Sequence, residues 1–276
     1  MSVVAVIPAR YASGRLPGKP LVPLCGKPMV QHVWERVRRA ASVSRVLVAT
    51  DDERVLRAVG AFGGEATMTR ADHRCGTERV AEVAAHAAHT LSPPRRAEED
   101  NAPEIYVNVQ GDEPLIEPAA VDAAVEALRT DDSVEVATLA VPIALPGDIM
   151  DPSVVKVVLD FEGNALYFSR APIPWIREGT FPGNTSAGEP RAAPSGFTHF
   201  KHIGLYVFRR QALLEFATFP QGELEKLEQL EQLRWLENGY KIRVAETKYD
   251  SVSVDVPDDV PRVEKLLREL EARQPT

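Results

Sequence analysis

The chain has 276 residues, of which 44% are hydrophobic and 26% charged, and its formal net charge is −8. These are the values of a globular protein with one large domain or two small ones, and the negative charge argues against general binding to nucleic acid or to a membrane surface. No apolar run reaches the roughly 20 residues of a membrane helix, the N-terminus has no signal-peptide layout, and two cysteines provide no disulfide framework, so we expect a soluble, cytoplasmic protein.

The first predicted element is a short apolar strand, residues 3–7, bounded by a proline. The loop after it carries Arg10, Arg15 and Lys19, and glycines and a proline prevent it from being a helix. Loops at the carboxyl ends of strands bind ligands in open α/β sheets, and guanidinium and ammonium groups suit phosphates. The pattern favours a triphosphate-binding loop. An ordinary basic surface loop is the alternative, because neither the P-loop nor the G-x-G-x-x-G signature is present.

Strand-like and helix-like segments then alternate up to residue 142. The pattern predicts helices at 28–41, 52–60, 77–90 and 118–129, and strands at 45–50, 105–109 and 134–142. Asp51 or Asp52 is the predicted cap of the second helix. This alternation is typical of a mainly parallel sheet that helices cover.

An acidic turn follows the strand at 105–109, with the sequence Gln110-Gly111-Asp112-Glu113-Pro114. An Asp at a strand end, beside a Gly that permits close approach of the backbone, is well placed to bind a divalent cation. The alternative is a tight turn with solvated acids.

The second half of the chain is more mixed. It has predicted strands at 154–159, 203–208 and 241–246, and predicted helices at 223–238 and from 258 onward, while 92–103 and 177–196 are typical of mobile loops. We therefore predict an α/β fold with a mixed, mainly parallel sheet covered by helices.

Polar residues in this half have ordinary structural interpretations. Glu225, Glu228 and Gln232 recur at helical spacing, a pattern that indicates a solvated helix face. The opposite, buried face is predicted to be a stripe that contains Leu227, Leu230 and Leu233. His202 lies among apolar residues, as structural histidines do. Arg170 is close to a proline and could form a surface ion pair.

Asp255 follows a short β-branched stretch and has no evident helix-capping role. Together with Asp112 and the cationic loop, it predicts Mg²⁺-dependent phosphoryl or nucleotidyl transfer, because Mg²⁺ is usually held by one or two carboxylates and by substrate phosphates.

Residues 8–21 closely resemble the N-terminal signature of the 3-deoxy-manno-octulosonate (Kdo) cytidylyltransferases, or CMP-Kdo synthetases. Further matching segments follow in order over nearly the whole chain: 69–73, 76–79, 107–114, 155–160, 165–170, 202–206, 230–234 and 254–255. The first loop and the strand-end Asp occur across sugar nucleotidyltransferases, whereas 73–79, 168–170 and 230–234 narrow the resemblance to the Kdo enzymes. Gly14 and Cys75 depart from the pattern, since relatives commonly carry Thr or Ser at the first position and Ser at the second.

The resemblance implies a nucleotide-diphospho-sugar transferase-like fold in one domain, residues 1–276. Its nucleotide-binding half would cover about 1–140, and its sugar-binding and dimerisation half about 141–276. The implied reaction is CTP plus Kdo giving CMP-Kdo plus diphosphate, for lipopolysaccharide synthesis, and the implied assembly is a homodimer.

The resemblance also implies roles for individual residues. Lys19, Asp112 and Asp255 would be catalytic, and the two aspartates would hold Mg²⁺. The implied nucleotide-binding residues are Pro8, Ala9, Arg10, Arg15, Lys19, Ala71, Asp72, His73, Cys75 and Gly76. The implied sugar-binding residues are Gln110, Arg170, His202, Tyr206, Glu228, Glu231 and Gln232.

Two other functions stay open at this point. One is a sister nucleotidyltransferase for amino-Kdo or a sialic acid. The other is a nucleotide-binding regulator that has lost the reaction, because a fold does not entail a function.

Overall fold

The structure is a computed structural model that describes residues 2–90, 103–176 and 197–273. The loops predicted at 92–103 and 177–196 lie outside these ranges, apart from Pro103. The strands of the described ranges are β1 Val3–Pro8, β2 Pro23–Leu24, β3 Lys27–Pro28, β4 Arg45–Thr50, β5 Glu65–Met68, β6 Ile105–Asn108, β7 Val136–Pro142, β8 Lys156–Leu159, β9 Ala165–Ser169, β10 Phe200–Arg209 and β11 Ile242–Glu246. The helices are α1 Met29–Val37, α2 Glu53–Ala61, α3 Gly76–Thr90, α4 Pro118–Arg129, α5 Pro146–Met150, α6 Arg210–Phe216, α7 Glu223–Glu228, α8 Leu233–Glu237 and α9 Asp259–Arg273.

One sheet organises the fold, with the strand order β11-β7-β10-β6-β1-β4-β5. Along this path β1 is parallel to β4 and β6, β4 to β5, and β11 to β7, whereas β10 is antiparallel to both of its neighbours. The hairpin β8–β9 joins the sheet through β10. The predicted fold class, a mixed and mainly parallel sheet covered by helices, is confirmed.

Local sequence signals set most of the element boundaries. Of the two predicted caps of α2, Asp52 is the one that the structure uses: its Oδ1 accepts a hydrogen bond from the backbone amide of Arg54 at 2.8 Å. Pro118 begins α4, where its missing amide hydrogen and fixed φ cost nothing. Six short elements were not predicted from the sequence: β2, β3, β5, β9, α5 and α6. These two- to seven-residue segments are shorter than a clear periodic pattern.

The sheet packs between two layers of helices. On one face, α1 and α4 bury side chains such as Val33 and Val121. On the other, α3, α6 and α8 bury Val80, Phe216 and Trp235. Strands covered on both sides are apolar throughout, which explains the continuous run Val3–Ile7.

A third apolar cluster lies beside the sheet and joins three distant parts of the chain. It packs Leu16 of the first loop and Leu24 against Val254 and against Val263 and Leu267 of α9. Because Leu16 and Val254 are neighbours of Arg15 and Asp255 in sequence, this cluster fixes the segments that carry those charges. Within the described ranges, every helix is too short or too polar to cross a bilayer.

Candidate active site

A cavity of about 480 Å³ lies where β1 and β6 end. It brings together most of the residues predicted from the first loop, the acidic turn and the 71–76 segment. The predicted residues that line it are Pro8, Ala9, Arg10, Arg15, Lys19, His73, Cys75, Gly76, Gln110, Asp112 and Asp255.

The loop that supplies the cations has a defined backbone. Gly18 adopts a φ of 69°, and a Cβ at this position would lie 3.1 Å from the hydroxyl oxygen of Tyr11. Its amide donates a hydrogen bond to the carbonyl of Tyr11 at 3.2 Å. Only glycine adopts this left-handed conformation without strain while leaving room for the Tyr11 ring. The turn directs the next residue, Lys19, into the cavity.

Lys19 joins the two predicted metal ligands. Its ammonium group contacts Oδ2 of Asp112 and lies 3.1 Å from Oδ1 of Asp255, which also accepts a hydrogen bond from Arg15 at 2.9 Å. Partial burial alone would raise the pKa of Asp255, but the charges of Lys19 and Arg15 outweigh it and hold this pKa below its usual range. Asp255 is therefore an anion in the folded protein at neutral pH.

Backbone contacts fix the distance between the two carboxylates. The amide of Val254 donates to the carbonyl of Asp112 at 3.0 Å, which ties the segment of Asp255 to the acidic turn. A Cβ on Gly111 would lie 2.8 Å from the carbonyl oxygen of Pro8, so only glycine allows this turn to approach the end of β1 so closely.

Two arginines of the cavity were not predicted as site residues. Arg79 is 3% exposed and donates to Asp51 at 3.1 Å and to the hydroxyl of Thr69. Arg74 lies on the cavity wall and donates to Glu78 at 3.0 Å. Ser13 also lines the cavity without having been predicted. Arg79 belongs to the matching 76–79 segment, which was the signal that could have identified it.

The 71–76 segment is divided between the cavity and the surface. His73, Cys75 and Gly76 line the cavity, whereas Ala71 and Asp72 are exposed, and Asp72 pairs with Arg70 at 3.0 Å. Burial, and next the charge of Glu231, raise the pKa of the Cys75 thiol, which keeps the thiol protonated.

The predicted sugar-binding residues of β10 lie in a buried polar cluster. The hydroxyl of Tyr206 donates to Oε1 of Gln232 at 2.9 Å. His202 Nε2 lies 2.9 Å from the hydroxyl of Thr138, and burial lowers the pKa of this histidine to about 3. His202 is therefore neutral, and the rings of His202 and Tyr206 are 5.4 Å apart.

Glu231 and Gln232 connect this cluster to the cavity. Oε2 of Glu231 accepts a hydrogen bond from the amide of Thr77 at 3.4 Å, and burial raises the pKa of Glu231. Gln232 is 2% exposed, and its Nε2 finds no partner among the described residues. A buried amide donor without a partner is costly unless a ligand or water completes it.

The single helix predicted at 223–238 is wrong, and so is its solvated polar face. Gln229 adopts a φ of 53° and separates α7 from α8. Glu225 is 4% exposed, whereas Leu227, assigned to the buried stripe, is 79% exposed.

A buried ion network is the physical reason. Arg234 is 0% exposed and donates to Glu225 at 2.6 and 2.7 Å and to Glu78 at 3.0 Å. A buried guanidinium must be paired, so this network, rather than amphipathic spacing, determines which side chains face inward.

Arg170 and Glu228 contact each other rather than the cavity. The amide of Arg170 donates to Oε2 of Glu228 at 2.9 Å, and its guanidinium donates to the carbonyls of Glu228 and Pro152 at 2.8 and 2.9 Å. Ser169 donates to Oε1 of Glu228 at 2.6 Å. In the described part of the chain, neither Arg170 nor Glu228 lines the cavity.

The cavity as a whole combines several cations with two hard anionic ligands. Its guanidinium and ammonium groups belong to Arg10, Arg15, Lys19, Arg74 and Arg79, and its carboxylates to Asp112 and Asp255. Such a set can neutralise a chain of phosphates and hold a divalent cation against them.

Comparisons with known proteins agree with this chemistry. Residues 4–242 match the family model described as cytidylyltransferase. The chain is 51% identical to the 3-deoxy-manno-octulosonate cytidylyltransferase of Syntrophotalea carbinolica, over 98% of this chain and 100% of that protein. It is 49% identical to the protein of the same name from Geobacter sulfurreducens, over 96% and 100%. A solved structure of CMP:2-keto-3-deoxy-manno-octonic acid synthetase complexed with CTP is similar with a TM-score of 0.81 and 41% identity, over 98% of this chain and 100% of that one.

Proposed function

This chain belongs to the cytidylyltransferase family, among the 3-deoxy-manno-octulosonate cytidylyltransferases, and from this membership we propose that it joins CTP to Kdo. The products are CMP-Kdo and diphosphate, and the activated sugar serves lipopolysaccharide synthesis. The observation that carries the proposal is the convergence of Lys19, Asp112 and Asp255 in a cavity lined by arginines.

In the proposed reaction, the anomeric hydroxyl oxygen of Kdo attacks the α-phosphorus of CTP. A bond forms between that oxygen and the α-phosphorus, and the hydroxyl proton is released to water. The bond from the α-phosphorus to the bridging oxygen breaks, and diphosphate leaves with the electron pair. Arg10, Arg15 and Lys19 neutralise the charge that develops on the leaving group, which is the largest contribution a protein makes to such transfers.

The donor set of the cavity suits Mg²⁺. One cationic group, the Lys19 ammonium, already contacts both Asp112 and Asp255, so the two carboxylates converge on a single positive charge. Within the described ranges no group of three or more Asp, Glu, His or Cys side chains forms a metal site, so phosphate oxygens and water would supply the remaining ligands, as is usual for Mg²⁺. Bound by the two aspartates, Mg²⁺ would neutralise phosphate charge and lower the pKa of the attacking hydroxyl.

We infer that the sugar binds beside the buried cluster of β10 and α8. The unpartnered Nε2 of Gln232 supports this, because a sugar hydroxyl would complete its hydrogen bonding. Glu231 lies between that cluster and Thr77 at the start of α3, which brings the sugar side next to the nucleotide side. Arg170 would bind the sugar carboxylate after its guanidinium group releases the backbone carbonyl that it contacts in the structure.

The proposal is tested by measuring diphosphate release from each nucleoside triphosphate paired with Kdo, amino-Kdo and a sialic acid, with Mg²⁺ and with EDTA. We expect release with CTP and Kdo in the presence of Mg²⁺ only. Faster release with another acid sugar would assign the chain to a sister enzyme, and CTP binding without turnover would make it a nucleotide-binding regulator.

We also propose that the chain works as a single-domain homodimer in the cytoplasm. One sheet contains strands from both halves of the chain. Phe161 and Leu166 of the β8–β9 hairpin are large apolar side chains exposed to solvent, as at subunit interfaces.

Both cysteines are free thiols, which suits a reducing compartment. Light scattering tests the oligomeric state, and cell fractionation tests the location. A monomeric protein in solution would contradict the proposed dimer.

A further inference from the structure

The turn at residues 70–73 is closed by one carboxylate from a different element. Oε2 of Glu82, on α3, accepts a hydrogen bond from the backbone amide of Arg70 at 3.1 Å and contacts Nε2 of His73. Arg70 and His73 are the first and the last residue of this four-residue turn. A single side chain therefore fixes where the turn begins and where it returns to the cavity wall.

This contact is largely shielded from solvent. The side chain of Glu82 is 17% exposed and that of His73 is 6% exposed. Partial burial would raise the pKa of Glu82, but the hydrogen bonds from His73 and Arg70 outweigh it, so this pKa lies below its usual range. A hydrogen bond from a backbone amide to an ionised carboxylate is stronger than one between neutral groups.

His73 is the member of the turn that reaches the cavity, and Nε2 of its ring is already used by Glu82. The cavity therefore meets the turn at His73, while Ala71 and Asp72 are exposed to solvent. The family resemblance implies that residues 71–76 bind the nucleotide, so this turn would lie on the nucleotide side of the cavity. Groups that bind a ligand by hydrogen bonding must be held within about 0.5 Å of their productive positions.

We propose that Glu82 is a positioning residue for the nucleobase, which sets the affinity for CTP and the preference for CTP over other nucleotides without touching the substrate. This inference builds on the proposed function, since it assumes that the cavity binds CTP. Glu82 acts through the shape of the 70–73 turn and leaves the phosphate-binding groups and the sugar cluster unchanged.

The test compares Glu82→Ala and Glu82→Gln with the same changes at Glu35. Glu35 is a suitable control because it also lies on a helix, is partly buried, and accepts hydrogen bonds from Lys27 at 2.9 Å and from Gln31 at 2.8 Å, away from the cavity. The measurements are KM for CTP and for Kdo, kcat, kcat/KM with UTP in place of CTP, and the thermal midpoint.

For Glu82→Ala we expect KM for CTP to rise about tenfold, with KM for Kdo and kcat within about twofold of wild type. Glu82→Gln keeps one acceptor and should show a smaller rise, and both variants should lose part of the preference for CTP over UTP. The Glu35 variants should keep all kinetic constants.

An unchanged KM for CTP in Glu82→Gln and Glu82→Ala would overturn the inference. So would parallel losses in kcat and in both KM values that follow the thermal midpoint, because these indicate a general structural role. If Glu82→Ala does not fold, Glu82→Gln decides alone. A wild-type protein that does not consume CTP would overturn the proposed function itself, and this inference with it.

Discussion

The proposed nucleotide side and the proposed sugar side of the site differ in how far their ion pairs are exposed to solvent. On the nucleotide side, Arg15 and Asp255 pair at 2.9 Å, but their side chains are 70% and 38% exposed and line the cavity. On the sugar side, the side chains of Arg234 and Glu225 are 0% and 5% exposed and are bound to each other. Charges of the first kind are available to a ligand, whereas charges of the second kind hold two short helices in place.

The largest expected effect is on the nucleotide side. Asp112→Asn removes a charge from the carboxylate pair but keeps the shape of the side chain, so turnover should fall about a thousandfold while the fold is kept. Steady-state diphosphate release and circular dichroism measure both. Asp132→Asn, at an exposed carboxylate paired with Arg209, is the matched control and should retain full activity. More than about a tenth of wild-type activity in Asp112→Asn would remove Asp112 from the catalytic set.

The next effect distinguishes buried from exposed charge within one helix. Glu225→Gln leaves the buried Arg234 without its main partner and should lower the free energy of unfolding by about 3 kcal/mol. Glu223→Gln disrupts an exposed pair with Lys226 and should change it by less than about 1 kcal/mol. Urea unfolding measures both variants. Equal losses of stability in the two variants would contradict the difference between buried and exposed ion pairs.

The third effect depends on pH. His202 has its pKa lowered from 6.5 to about 3, so below pH 6.5 the unfolded chain binds a proton that the folded chain does not. Above pH 6.5, the neutral and buried His202 makes its full contribution to the free energy of unfolding. As the pH falls from 6.5 towards 3, this free energy decreases, by about 2 kcal/mol at pH 5. His202→Gln should therefore lose less stability between pH 7 and pH 5 than the wild type. Identical pH profiles would indicate that His202 titrates normally.

The smallest effect tests the sugar side. Glu231→Gln should raise KM for Kdo about tenfold, because a sugar hydroxyl would lose one of the carboxyl oxygens that accept its hydrogen bond. CTP binding, measured by calorimetry, should not change. Normal Kdo kinetics in this variant would indicate that Glu231 has only a structural role, in its contact with Thr77.

The same contrast explains what the sequence could predict. The longer strands, the Asp52 cap and the cationic loop all follow from residues within a few positions of one another. The structure confirms these elements, with strand ends that differ by up to three residues, and brings the charges together. The break at Gln229 and the burial of Glu225 depend on Arg234, which in turn needs Glu78, 156 residues away along the chain. Helical spacing contains no information about that partner, so the polar face was wrongly predicted to be solvated.

Phosphorus NMR of a reaction with purified protein, CTP, Kdo and Mg²⁺ shows which phosphorus of CTP is attacked. We expect the triphosphate signals to disappear while one phosphodiester signal and one equivalent of diphosphate appear. Formation of CDP with inorganic phosphate, or a spectrum that stays that of CTP, would contradict the proposed reaction.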